Sequence, residues 1–300
     1  MRDFNQLISK SKNLKRKRIV VASANDLSTL KALEKASEII PLEITLIDNQ
    51  KELKATIETA RINLTDYQII DLAAKTEIAE KAVYLIKTNK ADILMKGLIE
   101  TNTLLKAVVN KEKGIRKEKL LSHISLFSFP RSQKIIYASD CAMNIEPTVD
   151  QKIAIIDNLL LLVKKLGVIN PKVALISAVE KPNPKIVSST DAILIKEHYD
   201  AINNKDFLVD GPFAIDNVVS KEAALKKSIT SEIKGDADAL IFPNIDSGNV
   251  FYKTAIYLSR ATAAGIVLGA QAPIVLTSRA DSVINKFYSI LLAGVYCDEN

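Results

Sequence analysis

At 300 residues the chain can hold two domains of ordinary size or one large one. Its 48% hydrophobic and 25% charged content excludes a disordered chain, and no apolar run approaches the ~20 residues that would span a bilayer. Net charge +6 favours anionic partners without naming them.

Short apolar runs alternate with amphipathic helical patterns from residue 18 onward. Arg18 to Ala24 reads as a buried strand, and Leu27, Leu30, Leu33, Ala36 and Ile40 then trace one helix face behind the cap-type Asn25 and Asp26. Strands follow at Ile44 to Ile47, at Ile69 and Ile70, and at Ile93 to Lys96, with helices at Gln50 to Ala60 and Glu77 to Thr88 between them. Ile124 to Phe129 and Lys134 to Ala138 are short strands broken by Pro130. Thr148-x-x-Gln151 is a capping box opening a long helix to Lys165. Strands at Val173, Phe207, Ala239, Ile266 and Ile274 alternate with helices over Ser189 to Asn203, Ser220 to Ser231 and Asn249 to Arg260, before a terminal helix. Such alternation predicts a mostly parallel sheet with helices on both faces, that is, an α/β fold.

The basic run Lys12 to Arg18 (KNLKRKR) reads as a solvated helix end. With no Trp and no Gly-rich or zinc-finger motif, the chain lacks the means to read bases, and a polyanionic small molecule fits the charge at least as well as nucleic acid. Cys141 and Cys297 have no metal or redox spacing, and the first 18 residues lack the apolar core of a signal peptide. A cytoplasmic protein with free thiols is expected.

Polar residues gather just past the strand ends, where open α/β sheets bind ligands. They are Lys96 and Gly97 with Thr101, Asp140 and Asn144, Asp210, Gly211 and Pro212 with Asp216, and Asn249 and Lys253, while Ser122 and His123 precede a strand. Each has a plainer alternative. Asp210–Gly211–Pro212 makes a plausible tight turn, His123 a buried hydrogen-bonded imidazole, Lys96 a helix-entry lysine and Asn249 a helix cap. In Pro273 to Ile290 (PIVLTSRADSVINKFYSI) an apolar run stops at Thr277–Ser278–Arg279, and Val283, Ile284, Phe287, Ile290 and Leu291 then mark one helix face. A strand feeding a helix presents unpaired N–H groups that favour anions, and Arg279 would add a bidentate cation. Ser278-x-x-Asp281 equally fits a capping box, which leaves Arg279 without a role.

LMKG with Thr101, LLSHIS, DCAMNIEP, VDGPFAID, IFPNIDSGNVFYK and VLTSRADS occur in that order. The set resembles the butyryl branch of the phosphate acetyl/butyryltransferase family, over about residues 15 to 295. The resemblance implies two three-layer α/β/α domains of the isocitrate/isopropylmalate dehydrogenase type around an interdomain cleft. The first would take 1–133 plus 273–300 and the second 134–272. It also implies a cytoplasmic homodimer or larger homo-oligomer with no cofactor and no metal.

The implied reaction is reversible: acyl-CoA plus phosphate gives acyl phosphate plus CoA, with the CoA sulfur attacking directly in a ternary complex. By this resemblance Arg279 meets the departing phosphate and Ser278 donates to the oxyanion or orients the sulfur, with Lys96, Thr101, Ser122 and His123 as further phosphate and acyl contacts. The acetyl branch carries a carboxylate seven residues beyond the serine, where this chain has Asn285, so Asp281, Asp210, Asp216 and His123 all stand as candidate bases. A metal- or NAD-dependent oxidoreductase on the same scaffold, or a catalytically silent CoA-binding protein, are the alternatives. The first lacks a G-x-G-x-x-G loop.

Overall fold

The computed structural model describes residues 1, 3–130, 132, 134–202, 206–278 and 281–298. The chain begins with α1 (Phe4–Ser11), β1 (Lys17–Ala22), α2 (Leu27–Ser37), β2 (Leu42–Asp48), α3 (Gln50–Thr59), β3 (Tyr67–Asp71), α4 (Lys75–Lys87), β4 (Ile93–Lys96) and α5 (Thr101–Val108). It continues through β5 (Ser122–Ser128), β6 (Ile136–Ser139), α6 (Val149–Lys165), β7 (Lys172–Ile176), α7 (Val187–Ile202), β8 (Leu208–Phe213), α8 (Ile215–Val219) and α9 (Lys221–Lys226). The last elements are β9 (Ala239–Ile241), α10 (Ile245–Lys253), β10 (Thr262–Leu268), β11 (Ile274–Val275) and α11 (Val283–Tyr296). The fold is mixed α/β.

Two compact units make up the chain: Asp3–Leu121 with Thr262–Asn300, and Ser122–Ala261. The boundaries expected at 133/134 and 272/273 lie about a dozen residues later than these. The physical reason is pairing. β5 forms an antiparallel hairpin with β6, and β10 with β11, so each hairpin stays whole within its unit. Connections this short cannot hold the crossover helix that parallel neighbours need, so both pairs run antiparallel.

In the first unit the strands run β3-β2-β1-β4-β11-β10, and Ile19, Val20, Val21, Ile44, Leu46, Ile93 and Leu94 are buried on both faces. α2 starts where Asp26 accepts the Thr29 N–H at 3.1 Å. Such a bond replaces one of the partners that the first helical amides lack. The run KNLKRKR is the expected solvated helix end leading into the first strand: Lys12 is the C-cap of α1, and Lys12, Asn13, Lys15 and Arg16 are exposed ahead of β1. Lys17 pairs with Asp298 at 2.8 Å, Arg18 with Asp92 at 2.6 Å, and Arg16 with Asp66 and Glu43, all at the amino ends of the strands.

The second unit orders its strands β5-β6-β9-β7-β8. α6 opens with the expected capping box: Thr148 Oγ1 accepts the Gln151 N–H and Gln151 Oε1 accepts the Thr148 N–H at 2.9 Å. The helix expected over Ser220 to Ser231 ends earlier, at Lys226, and α8 precedes it. The helix expected to begin at Asn249 begins at Ile245 behind Asn244, whose side chain accepts the Ser247 N–H at 3.0 Å, and α10 runs into a π-helical turn over Thr254–Leu258. Charges at the amino ends again pair with one another: Lys134 with Asp236 and Asp238, and Lys172 with Asp236.

Candidate active site

Each unit holds its own set of the sequence-predicted residues, of which Lys96, Gly97 and Asp140 lie at or just past the carboxyl ends of parallel strands. In the first unit β1, β4 and β11 end side by side, with Ala22 opposite Lys96 and Val275 opposite Met95. Gly97 follows. A Cβ there would stand 1.9 Å from the Ser23 carbonyl oxygen, so only glycine lets the loop pass the end of β1, where its N–H bonds Ala22 O at 2.9 Å. Lys96 is 5% exposed, and its ammonium donates to the Gly97 and Ile99 carbonyls at 3.4 Å each. Thr101 is the first residue of α5, whose N-cap Glu100 makes no side-chain capping bond.

Beyond β11, Thr277 is buried and Ser278 partly exposed, while Arg279 lies outside the described residues. The capping-box reading of Ser278 and Asp281 is corrected. Ser282 caps α11, accepting the Asn285 N–H at 3.2 Å. Asp281 accepts the Ser278 N–H at 2.6 Å and returns its own N–H to Ser278 O at 3.1 Å, which ties these two residues together ahead of the helix. The helix face is also shifted from the expected one. Ile284 is 37% exposed, whereas Asn285 and Lys286 are buried. Asn285 Oδ1 accepts the Ala263 N–H, and Lys286 Nζ meets Asp26, Ser28 and Thr29.

In the second unit Asp140 is 3% exposed, and its carboxylate accepts four donors: the N–H groups of His123, Ala142 and Met143 at 3.2, 2.8 and 3.0 Å, and Asn144 Nδ2 at 2.5 Å. That arrangement fixes the loop after β6. It brings Ser122, His123, Asp140 and Asn144 together. Ser122 Oγ accepts from Asn158 Nδ2 at 2.9 Å, and His123 Nδ1 lies 3.3 Å from Ser125 Oγ. Asn249 is inside α10, not its cap, and donates to the Cys141 carbonyl at 3.3 Å. α10 reaches this close because position 248 is glycine; a Cβ there would lie 2.3 Å from Asp140 O. Lys253 turns its ammonium over the Tyr252 and Tyr257 rings. Burial, with the Asp140 charge beside it, holds the Cys141 thiol well above its ordinary range, so it is inert.

Asp210, Gly211 and Pro212 do not form a turn. They belong to β8, with a cis bond between Gly211 and Pro212. They line a recess of about 990 Å³ together with Lys196, Phe213 and Lys227. Asp210 accepts its neighbour's N–H at 2.9 Å and lies 3.8 Å from Lys196, while Asp216 pairs with Lys227 at 3.0 Å. Among the described residues no group of three or more His, Cys, Asp or Glu side chains could hold a metal ion, and no helix is long and apolar enough to cross a membrane.

Sequence reasoning gave no role to Thr277 and missed the Ser23–Lys75–Asp48 set, in which Lys75 Nζ donates to Ser23 Oγ at 3.0 Å and lies 3.7 Å from Asp48. The strand-end rule, applied to RIVVAS and LIDN as well, would have found Ser23 and Asp48, and it already reached Thr277 without giving it a role; Lys75, the first residue of α4, carries no such signal.

The chain is similar to known proteins along essentially its whole length. A phosphate butyryltransferase from Clostridium acetobutylicum is 38% identical over 98% of this chain and 98% of its own length. A phosphate acetyltransferase from Thermotoga maritima is 37% identical, over 94% of this chain and 96% of its own. The crystal structure of a branched-chain phosphotransacylase from Enterococcus faecalis V583 matches with a TM-score of 0.84 at 33% identity, covering 95% of this chain and 100% of that one. Residues 74–294 match the model of the family described as phosphate acetyl/butaryl transferase, so by both its family match and its full-length relatives the chain belongs to that family.

Proposed function

We propose that this protein transfers a short acyl group, butyryl or branched, reversibly between coenzyme A and inorganic phosphate, with no added cofactor. The observation that carries the reading is identity of 38% with a phosphate butyryltransferase along essentially the full length of both chains. The 37% identity to a phosphate acetyltransferase is nearly equal. The preference for longer acyl chains therefore leans on the branched-chain phosphotransacylase likeness and on Asn285 standing where the acetyl branch has a carboxylate.

Direct attack by a thiolate on an acyl phosphate needs a proton acceptor for the thiol, donors for the oxyanion and a cation on the departing phosphate. We assign the cation to Arg279, whose guanidinium can hold two phosphoryl oxygens, and the oxyanion donor to the Ser278 hydroxyl. The Asp281 carboxylate, engaged by the Ser278 amide, is assigned as a positioning residue for Ser278. Lys96 and Thr101 offer a buried cation and an uncapped helix start to phosphate. His123, Ser122 and Asn144, held around Asp140, are assigned to acyl and thiol contacts, with His123 the proton acceptor. The recess at Asp210, Gly211 and Pro212 is of the size that takes part of a CoA molecule, and Lys196 and Lys227 line it. Asp216, paired with Lys227, holds one lysine of that recess, while Asn249 and Lys253 on α10 are assigned to further substrate contacts.

Cytoplasmic location and assembly as a homodimer or larger homo-oligomer belong to the same proposal; the free thiols of Cys141 and Cys297 accord with the location.

Phosphate-dependent release of CoA from a series of acyl-CoA esters tests the reading. Turnover that peaks at butyryl or branched C4–C5 esters is expected. Absence of turnover on every ester, or formation of NAD(P)H instead, contradicts it.

A further inference from the structure

We infer that Thr277 is a further substrate-contacting residue, whose hydroxyl donates to a phosphoryl oxygen at the carboxyl ends of β4 and β11. The inference rests on the acyl-transfer reading and adds a contact that reading does not contain. Thr277 is 7% exposed, and among the described residues its Oγ1 has no hydrogen-bond partner. A buried hydroxyl forfeits its bonds to water, so nearly all of them find a protein partner or a ligand. A valine would fill the same volume without that loss.

The position indicates the ligand. Thr277 stands two residues past Val275, whose strand partner is Met95, and Gly97 stands two residues past Met95. Both therefore leave their strands at the same edge, the edge at which open α/β sheets hold ligands. Two further features there select an anion. The Lys96 side chain is buried and curls its ammonium into the loop that carries Gly97 and Ile99. α5 begins four residues past Gly97, with no side chain capping its first turn. A cation, a set of backbone N–H donors and a neutral hydroxyl donor suit a group with several oxygens, and phosphate is the substrate of the proposed reaction that has them.

The other two buried polar atoms without partners do not compete. The Tyr137 hydroxyl belongs to the second residue of the four-residue β6, not to the loop past its carboxyl end, and Asn217 Oδ1 belongs to an amide whose nitrogen already bonds Glu180 at 2.8 Å.

The test compares wild type, Thr277→Val and Thr277→Ser in two assays. One is the rate of CoA release from butyryl-CoA as inorganic phosphate is varied. The other is the rise in Tm that inorganic phosphate alone produces. Thr277→Val is expected to fold with a Tm no lower than wild type and to lose about 10-fold to 100-fold in kcat/KM for phosphate. It should also lose most of the phosphate-induced rise in Tm. Thr277→Ser, which keeps the hydroxyl, should stay within about threefold of wild type by the same reasoning. Should Thr277→Val fold poorly, Thr277→Ala against Thr277→Ser gives the same comparison. Unchanged phosphate dependence and an unchanged Tm response in the valine variant overturn the inference. If wild type turns over no acyl-CoA yet phosphate still raises its Tm and not that of the valine variant, the subsite stands and the acyl-transfer reading fails.

Discussion

Asn285 Oδ1 accepts a hydrogen bond from the Ala263 backbone N–H at 3.1 Å, inside the first unit. One turn along α11, Ser289 Oγ accepts the Gly265 N–H at 2.9 Å. Among the described residues β11 pairs with β10 at Val267, and the Ala263 and Gly265 amides earlier in β10 are instead met by two helix side chains. Asn285 is therefore committed to the scaffold. We expect Asn285→Ala to cost about 1–3 kcal/mol, read by urea denaturation, because a buried amide loses its acceptor. Asn285→Asp should not exceed the wild-type turnover rate; a clear gain would assign the position to catalysis.

Lys286, the next residue, is 3% exposed and reaches Asp26 at 2.6 Å. Burial pushes the Asp26 carboxyl up, but the Lys286 ammonium and the Thr29 and Ser28 hydroxyls outweigh it and hold the group at about 2, against an ordinary 3.8. The folded value lies below the unfolded one. The stability it brings is thus complete above about pH 4 and is lost as pH falls toward 2. Lys286→Met strands the carboxylate and should cost about 3–5 kcal/mol at pH 7. Urea midpoints measured from pH 7 to pH 2 should fall steeply for wild type over the last two units and more gently for the variant. Parallel pH profiles would show that this pair does not carry the dependence.

Asp140 collects three backbone amides and one side-chain amide on a single carboxylate. Removing it leaves buried donors without acceptors, and Asp140→Ala should lose about 3 kcal/mol or more. Asp140→Asn should fare little better, because its own NH2 would face donors. Guanidinium melts of both variants check this. An asparagine variant as stable as wild type would mean that these four bonds matter less than their geometry implies.

Much of the fold was legible because its signals are local. Thr148 and Gln151 announced α6, Ile93 to Lys96 marked β4 at its true ends, and the strand–helix alternation gave the class. The antiparallel pairs were legible too, in the short connections after Ser128 and Leu268, but parallel order was assumed. What failed was long-range. Nothing near Asn285 or Lys286 in the sequence says that β10 and Asp26 wait across the fold, so two polar residues were left off a buried face and Ile284 was put on it. Lys17 likewise finds Asp298, almost the whole chain away. At the site, the strand-end rule located Lys96, Gly97 and Asp140 correctly in space. It could not tell that Asp140 would spend its carboxylate on the loop, nor that Asp210 to Pro212 extend a strand.

The most direct test of the account is the reverse reaction. Wild type and Arg279→Ala are given butyryl phosphate and CoA, and thioester formation is followed alongside Tm. The account predicts rapid thioester formation by wild type and a loss of at least about 100-fold in the variant, with Tm essentially unchanged, because an arginine that stabilises the departing phosphate acts on the transition state. A variant that forms thioester at the wild-type rate, or a wild type that forms none, would contradict it.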